Sequence, residues 1–297
     1  MIDTSSWPES DIKQMAAEID RLGLHRNVCE LDLFGLTVVD ASVLGVQEQV
    51  SRALERVLDL VEEKTGTRPD VSGGTTHQDV SLPSLHNIVL RDPVFADLLT
   101  HPVLLALMTY LVGERGVYAA TEVFMKGPAS EGNKAPLGIT KTDGLQLPLH
   151  SDLLMHPEPF APYAEMCNAT WLLSDYSREE GALAFVPGSH RLCRNPRDHE
   201  AEDQAVAVEA PRGSLVMWHG NTWHGSFPRK VPGLRTGLAF ELIRCYLDRH
   251  HVVDEAATAG APDALARLMG RDLVHWGEEG PDYAKLARRP FRPTLFS

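Results

Sequence analysis

Disulfide-forming cysteines, long apolar runs and a basic surplus are all missing from this chain, and each absence removes a class of protein. The four cysteines, Cys29, Cys167, Cys193 and Cys245, are scattered without a CxxC pair, which excludes a disulfide framework and a zinc knuckle and predicts reduced, mostly buried thiols. No apolar run approaches the roughly 18 residues of a membrane span, and the first ten residues lack the basic and apolar regions of a signal peptide. A cytoplasmic location is therefore expected. The formal net charge of −13 works against non-specific binding to nucleic acid or to anionic lipid. Internal repeats and convincing linkers are absent too. What is present is 297 residues, 43% of them hydrophobic, enough for a large core.

Along the chain a helical N-terminal third gives way to short strands. Ile12, Met15, Ile19 and Leu22 have helical spacing ahead of Gly23, and Leu36 to Val39 reads as a strand. Val50, Ala53, Leu54, Val57, Leu58 and Val61 mark the strongest helix, over Val43 to Lys64. Residues 65–84 have loop composition. Asp92-Pro93 and Pro102 open helices over Val94 to Leu99 and Val103 to Val112. Val117 to Met125 is extended, and Gly127 to Gly144 is a Gly/Pro/Lys insertion suited to a lid or to a plain connection. Strands are then expected at Cys167 to Leu173, Leu183 to Val186, Ala205 to Val208, Leu215 to Trp218 and Leu238 to Ile243, an antiparallel sandwich or jelly-roll pattern. Ala256 to Gly270 and Tyr283 to Ala287 read as helical, and Pro290 to Ser297 as an extended tail. The predicted class is mainly β with flanking helices (α+β). A single domain over residues 1–297 is expected, with a helical part to about 115, a core over 117–246 and a helical extension over 250–297.

The chemistry concentrates at His150-Ser-Asp152, at Thr222-Trp-His224-Gly-Ser226 and at Arg235. Two imidazoles and one carboxylate on one side of a metal, with the remaining positions open, are the ligand set of non-haem Fe(II) oxygenases. His150 and Asp152 share a face if their segment is extended, because side chains alternate along a strand. A second HxD, His77-Gln-Asp79, lies in a polar loop with no strand after it and is read as a decoy. Most of the 13 histidines are expected to be structural; His190 shapes its turn, and His156 and His219 are given no role.

Three further segments carry a resemblance: Gly181-Ala-Leu-Ala-Phe-Val-Pro-Gly-Ser-His190, Trp171-Leu-Leu-Ser-Asp175, and Gly213-Ser-Leu-Val-Met-Trp218 leading into His224. From about Leu33 to Tyr246 the chain resembles the phytanoyl-CoA dioxygenase family of Fe(II)/2-oxoglutarate oxygenases. The resemblance implies a double-stranded β-helix, a cupin-like jelly roll flanked by helices. It implies His150, Asp152 and His224 as iron ligands, Arg235 on the distal carboxylate of 2-oxoglutarate, and Ser226 on the same carboxylate. Asn87, Gln146 and Thr170 stand where other members contact the cosubstrate, with Gln146 offset by one residue. It further implies Fe(II), 2-oxoglutarate and O2 as cofactor and cosubstrates, release of succinate and CO2, and a small-molecule substrate of the secondary-metabolite type. Related halogenases replace the carboxylate ligand by a small residue, so Asp152 argues for an oxygenase outcome. No nucleic-acid or membrane partner is expected, and a homodimer is left open. The rival readings are a non-redox cupin-like hydrolase or isomerase and an inactive binding protein of the same fold.

Overall fold

The computed structural model describes residues 11–72, 85–128, 144–248, 258–274 and 276–283. Two antiparallel sheets face each other. The larger has five strands, in the order β1 (Leu36–Val39), β7 (Leu215–His219), β4 (Met166–Leu172), β9 (Arg235–Ile243) and β2 (Val117–Lys126). The smaller has four, in the order β3 (Leu147–His150), β8 (His224–Ser226), β5 (Leu183–Phe185) and β6 (Val206–Ala207). This is the expected jelly roll. A separate hairpin pairs β10 (Trp276–Gly277) with β11 (Gly280–Pro281).

Among the described residues seven α-helices accompany the sheets: α1 (Asp11–Arg21), α2 (His25–Phe34), α3 (Ala41–Leu44), α4 (Gln47–Thr65), α5 (Pro93–Leu99), α6 (Pro102–Val112) and α7 (Asp263–Leu268). Helices α5 and α6 each start with proline at a position whose N–H needs no intrahelical partner. The Asp92 carboxylate caps α5 by accepting from Val94 N at 2.9 Å, and His101 Nδ1 does the same for Val103 N at 3.3 Å. No single described helix is long and apolar enough to cross a membrane; α5 and α6 pass that test only as a pair bent by 52°, and both are packed in the core.

Strand alternation divides β4 between two environments. Cys167, Ala169, Trp171 and Leu173 join the large core formed with α4, α5 and α6, and Trp171 Nε1 donates to Leu98 O at 3.2 Å. Leu172 packs the other way, against Phe185, Val216 and Trp218 between the sheets. By the same period Asn168 and Thr170 point between the sheets. Register then places Trp218 and Val216 of β7, and Glu241, Ala239 and Gly237 of β9, on that inner face. Glu122, Phe124 and Lys126 of β2 follow, opposite Ala239, Gly237 and Arg235.

The structure corrects several boundaries. The helix predicted over Val43 to Lys64 is two, because Gly45 takes a left-handed conformation (φ 66°) between α3 and α4. The helix predicted over Ala256 to Gly270 contracts among the described residues to α7: Pro262 stands at its N-cap, which proline tolerates far better than a helix interior. Helix α2 was not anticipated. The second HxD (His77, Asp79), most of the Gly127 to Gly144 insertion, Pro290 to Ser297 and all but Tyr283 of the C-terminal helix lie outside the described residues.

The pairing of β3 with β8 has no space for a side chain at Gly225. A Cβ there would lie 2.3 Å from Leu147 O and 3.0 Å from Pro148 O. Because this contact sets His150 opposite His224, Gly225→Ala should separate the strands, with a cost of about 1–3 kcal/mol typical of overpacking. A lowered melting temperature together with weakened Fe(II) binding is the expected result; unchanged values for both would show that the strands accommodate the methyl group.

Candidate metal centre and carboxylate cradle

His150 ends β3, His224 begins β8, and Asp152 follows in the turn after β3. One ligand atom from each lies within 4.8 Å of the others. The imidazoles are oriented by their own strands: His150 Nδ1 sits 2.9 Å from Pro148 O and His224 Nδ1 3.0 Å from Thr222 O. A carbonyl oxygen only accepts, so Nδ1 carries the proton and Nε2 is left with a lone pair for a metal. Burial, reinforced for His150 by the neighbouring His224, pushes both histidines down to about 4. They are therefore neutral at physiological pH, which is the ligating form.

Asp152 completes the trio. Its Oδ2 accepts from Trp218 Nε1 at 2.8 Å, and its backbone N–H is tied to Gly220 O at 3.0 Å. Burial pushes its carboxyl up to about 7; His150 and the hydrogen bonds from Asn168 and Trp218 oppose that rise, while Glu241 adds to it. A buried carboxyl group beside two neutral imidazoles is a donor set that could hold a divalent cation. The alternate residue Ser151 points away, donating to Asn195 Oδ1 at 2.7 Å. That is the period-two geometry expected of an HxD.

The second feature is a buried guanidinium, Arg235, with a buried lysine amine, Lys126, across from it. Arg235 is 3% exposed, yet its Nε and Nη1 have no hydrogen-bond partner. Its guanidinium lies 4.8 Å from the centre of the Tyr176 ring, whose buried hydroxyl also lacks a partner. Lys126 is directly opposite Arg235 in the β2/β9 register and donates to Ser226 Oγ and, at 2.8 Å, to Phe227 O. Burial, with Arg235 adding to it, pushes the Lys126 amine down to about 5. The buried Thr170 Oγ1 is unpartnered too. Unmet donors on a buried guanidinium call for an acceptor, and a carboxylate is the best geometric match.

The other anticipated residues are placed less directly. Ser226 is buried beside Arg235 and Lys126, its hydroxyl accepting from Lys126. Asn87, with φ 58°, accepts from the Tyr118 hydroxyl at 3.3 Å beside β2. Gln146 Oε1 accepts weakly from Arg229 N at 3.4 Å. The contacts of Lys126, Tyr176, Asn168 and Trp218 have no signal in the local sequence. Those of Lys126, Asn168 and Trp218 arise from register between distant strands, and Tyr176 comes from the connection after β4.

A model of the phytanoyl-CoA dioxygenase family matches residues 8–237. The chain belongs to that family. Among sequence relatives, an uncharacterised protein of Mycobacterium tuberculosis is 23% identical over 249 residues, covering 81% of this chain and 84% of its own. Solved structures share the family's fold. EctD from S. alaskensis, crystallised with 2-oxoglutarate and 5-hydroxyectoine, superimposes with a TM-score of 0.56 at 19% identity, covering 74% of this chain and 76% of its own. The epimerase SnoN, in complex with Fe3+, alpha-ketoglutarate and nogalamycin RO, gives 0.53 at 21% identity, covering 76% and 85%.

Proposed function

We propose that this chain is an Fe(II)- and 2-oxoglutarate-dependent dioxygenase that hydroxylates or otherwise oxidises a small secondary metabolite. His150, Asp152 and His224 would hold the iron, and Arg235, with Lys126, Ser226 and the Tyr176 hydroxyl around it, would hold the far carboxylate of 2-oxoglutarate. The observation that carries this reading is the unsatisfied, buried Arg235 beside a His-Asp-His trio. A non-redox metal hydrolase has no use for a buried carboxylate cradle, and an inactive relative has no reason to keep two neutral imidazoles aimed at a carboxylate. When bound, iron would activate dioxygen, and decarboxylation of 2-oxoglutarate to succinate and CO2 would supply the electrons. The protein residues orient and desolvate: the Nδ1 contacts fix the imidazoles, Trp218 fixes Asp152, and the two sheets shield the site from water.

Anaerobic addition of Fe(II) and 2-oxoglutarate tests the reading. A weak visible charge-transfer band that needs both additions is expected; its absence at saturating concentrations overturns the assignment.

Lys126 adds a proton signature. With the Lys126 amine pushed down to about 5 by burial and by Arg235, Nζ is mostly unprotonated at pH 7, and a carboxylate arriving alongside favours the ammonium form. Cosubstrate binding should therefore take up protons. Calorimetric enthalpies should differ between phosphate and Tris buffers and should converge in Lys126→Met; equal enthalpies for the parent protein would show that Lys126 is already charged.

A further inference from the structure

The inner face carries acid beyond the metal ligands. Glu122 on β2 lies opposite Ala239, and Glu241 on β9 lies opposite Ala120 and, on its other side, Asn168 of β4. Paired residues share a face, so the two glutamates are diagonal neighbours and Asn168 is next in the row. Asn168 hydrogen-bonds Asp152, which ties this row to the metal centre. The Asn168 side chain is 4% exposed, and its Oδ1 has no partner. A buried acceptor next to carboxylates is poorly satisfied by another acceptor; it requires a donor.

Glu122 makes no ion pair with Lys or Arg among the described residues, and its neighbour on the other side is His86, opposite it in an isolated bridge. Its carboxyl is pushed up to about 7, first by burial and then by Glu241 and Asp152, so every influence on it favours a proton or a cation. The residues directly opposite the two carboxylates in the β2/β9 ladder, Ala239 and Ala120, are small and offer no polar partner. On the reading proposed above, the iron charge is met by Asp152 and the cosubstrate, and Arg235 and Lys126 are engaged by the far carboxylate. Neither cation then serves Glu122.

We propose that the substrate of this site carries a basic nitrogen, an ammonium or amidinium, which is held by the Glu122 carboxylate and the Asn168 Oδ1 on the Asp152 side of the metal centre. This inference rests on the dioxygenase reading and narrows its substrate class. A charge-assisted contact to Glu122 combined with a neutral acceptor from Asn168 suits a nitrogen with at least two N–H donors. Carboxylate or phosphate groups in the same place would face like charge.

The test uses the full chain loaded anaerobically with Fe(II) and 2-oxoglutarate. Its probes are cyclohexylamine, benzylamine and benzamidine, compared with cyclohexanol, benzyl alcohol and benzoate, and binding is measured by calorimetry. The amines and the amidine should bind at least about tenfold more tightly than the alcohols, with benzoate weakest. Glu122→Gln should remove that preference by about the same factor while the Fe(II)/2-oxoglutarate visible band still forms. The band reads the dioxygenase assignment, and the amine preference reads this one, so the two can fail separately. Alcohols or benzoate binding as tightly as amines, no binding by any of the nitrogen compounds, or a preference that survives in Glu122→Gln would overturn the proposal.

Discussion

Asp152→Ala should abolish tight Fe(II) binding and product formation while leaving the fold in place. The variant removes the one anionic ligand and leaves two neutral imidazoles, whose Nδ1 contacts to Pro148 O and Thr222 O are untouched. Perturbing residues that merely support metal ligands typically costs 10–100-fold in affinity, so loss of a ligand itself should exceed about a hundredfold. Two effects on stability oppose each other. The Trp218 indole N–H loses its acceptor, a penalty of about 1–3 kcal/mol if it stays unpaired. Against this, Asp152 is raised to about 7 by burial, so in the metal-free protein it keeps its proton to higher pH than the unfolded chain does. The folded state then binds more protons across the interval from the ordinary carboxylate range to about 7, and this group lowers stability as pH rises through that interval. Removing it removes that slope. Metal content after dialysis should drop to background, while the melting temperature of the metal-free variant should stay near the parent value and depend less on pH between 4 and 7. His77→Ala, in the other HxD, should retain iron and activity. If instead His77→Ala lost both and Asp152→Ala kept them, the metal centre would be misplaced.

The contrast between these two HxD segments shows what the amino-acid pattern can convey. A period-two pair embedded among strand-forming residues is legible, because alternation alone puts His150 and Asp152 on one side. The apolar spacing of α4 is equally local, and all six residues it marks are buried, with Leu60 in addition. Other features were hidden for identifiable reasons. Helix α2 buries only Leu31, so its sequence has little periodic signal. Gly45 interrupts a run of helically spaced apolar residues without disturbing their spacing, and its left-handed φ becomes visible only in three dimensions. The partners that tune the site, Lys126 opposite Arg235, Asn168 opposite Trp218 and Tyr176 under Arg235, come together only once strand register is set. A shift of one residue in that register would turn Lys126, Arg235, Asn168 or Trp218 to the other face. Such contacts belong to the assembled sheet and leave no mark in one segment alone.

Arg235→Ala should raise the 2-oxoglutarate requirement by about a hundredfold, since loss of a charge-assisted, two-pronged contact removes a few kcal/mol of ligand affinity. Iron binding should change little, because no metal-ligating atom contacts the guanidinium and the three ligands belong to β3, the turn after it and β8. Within the protein Arg235 Nε and Nη1 are buried without acceptors, and a carboxylate would satisfy them. Truncation therefore removes an unsatisfied polar group as well as packing against Tyr176, and the metal-free variant should melt close to the parent. Arg235→Lys should recover only part of the loss, because an ammonium offers a point charge where a planar fork is needed and would sit directly across from the Lys126 amine. Succinate release measured against 2-oxoglutarate concentration separates these outcomes. A curve for Arg235→Ala that overlays the parent would remove Arg235 from the carboxylate cradle, whereas a rightward shift with iron content preserved would place the cosubstrate's far carboxylate on β9.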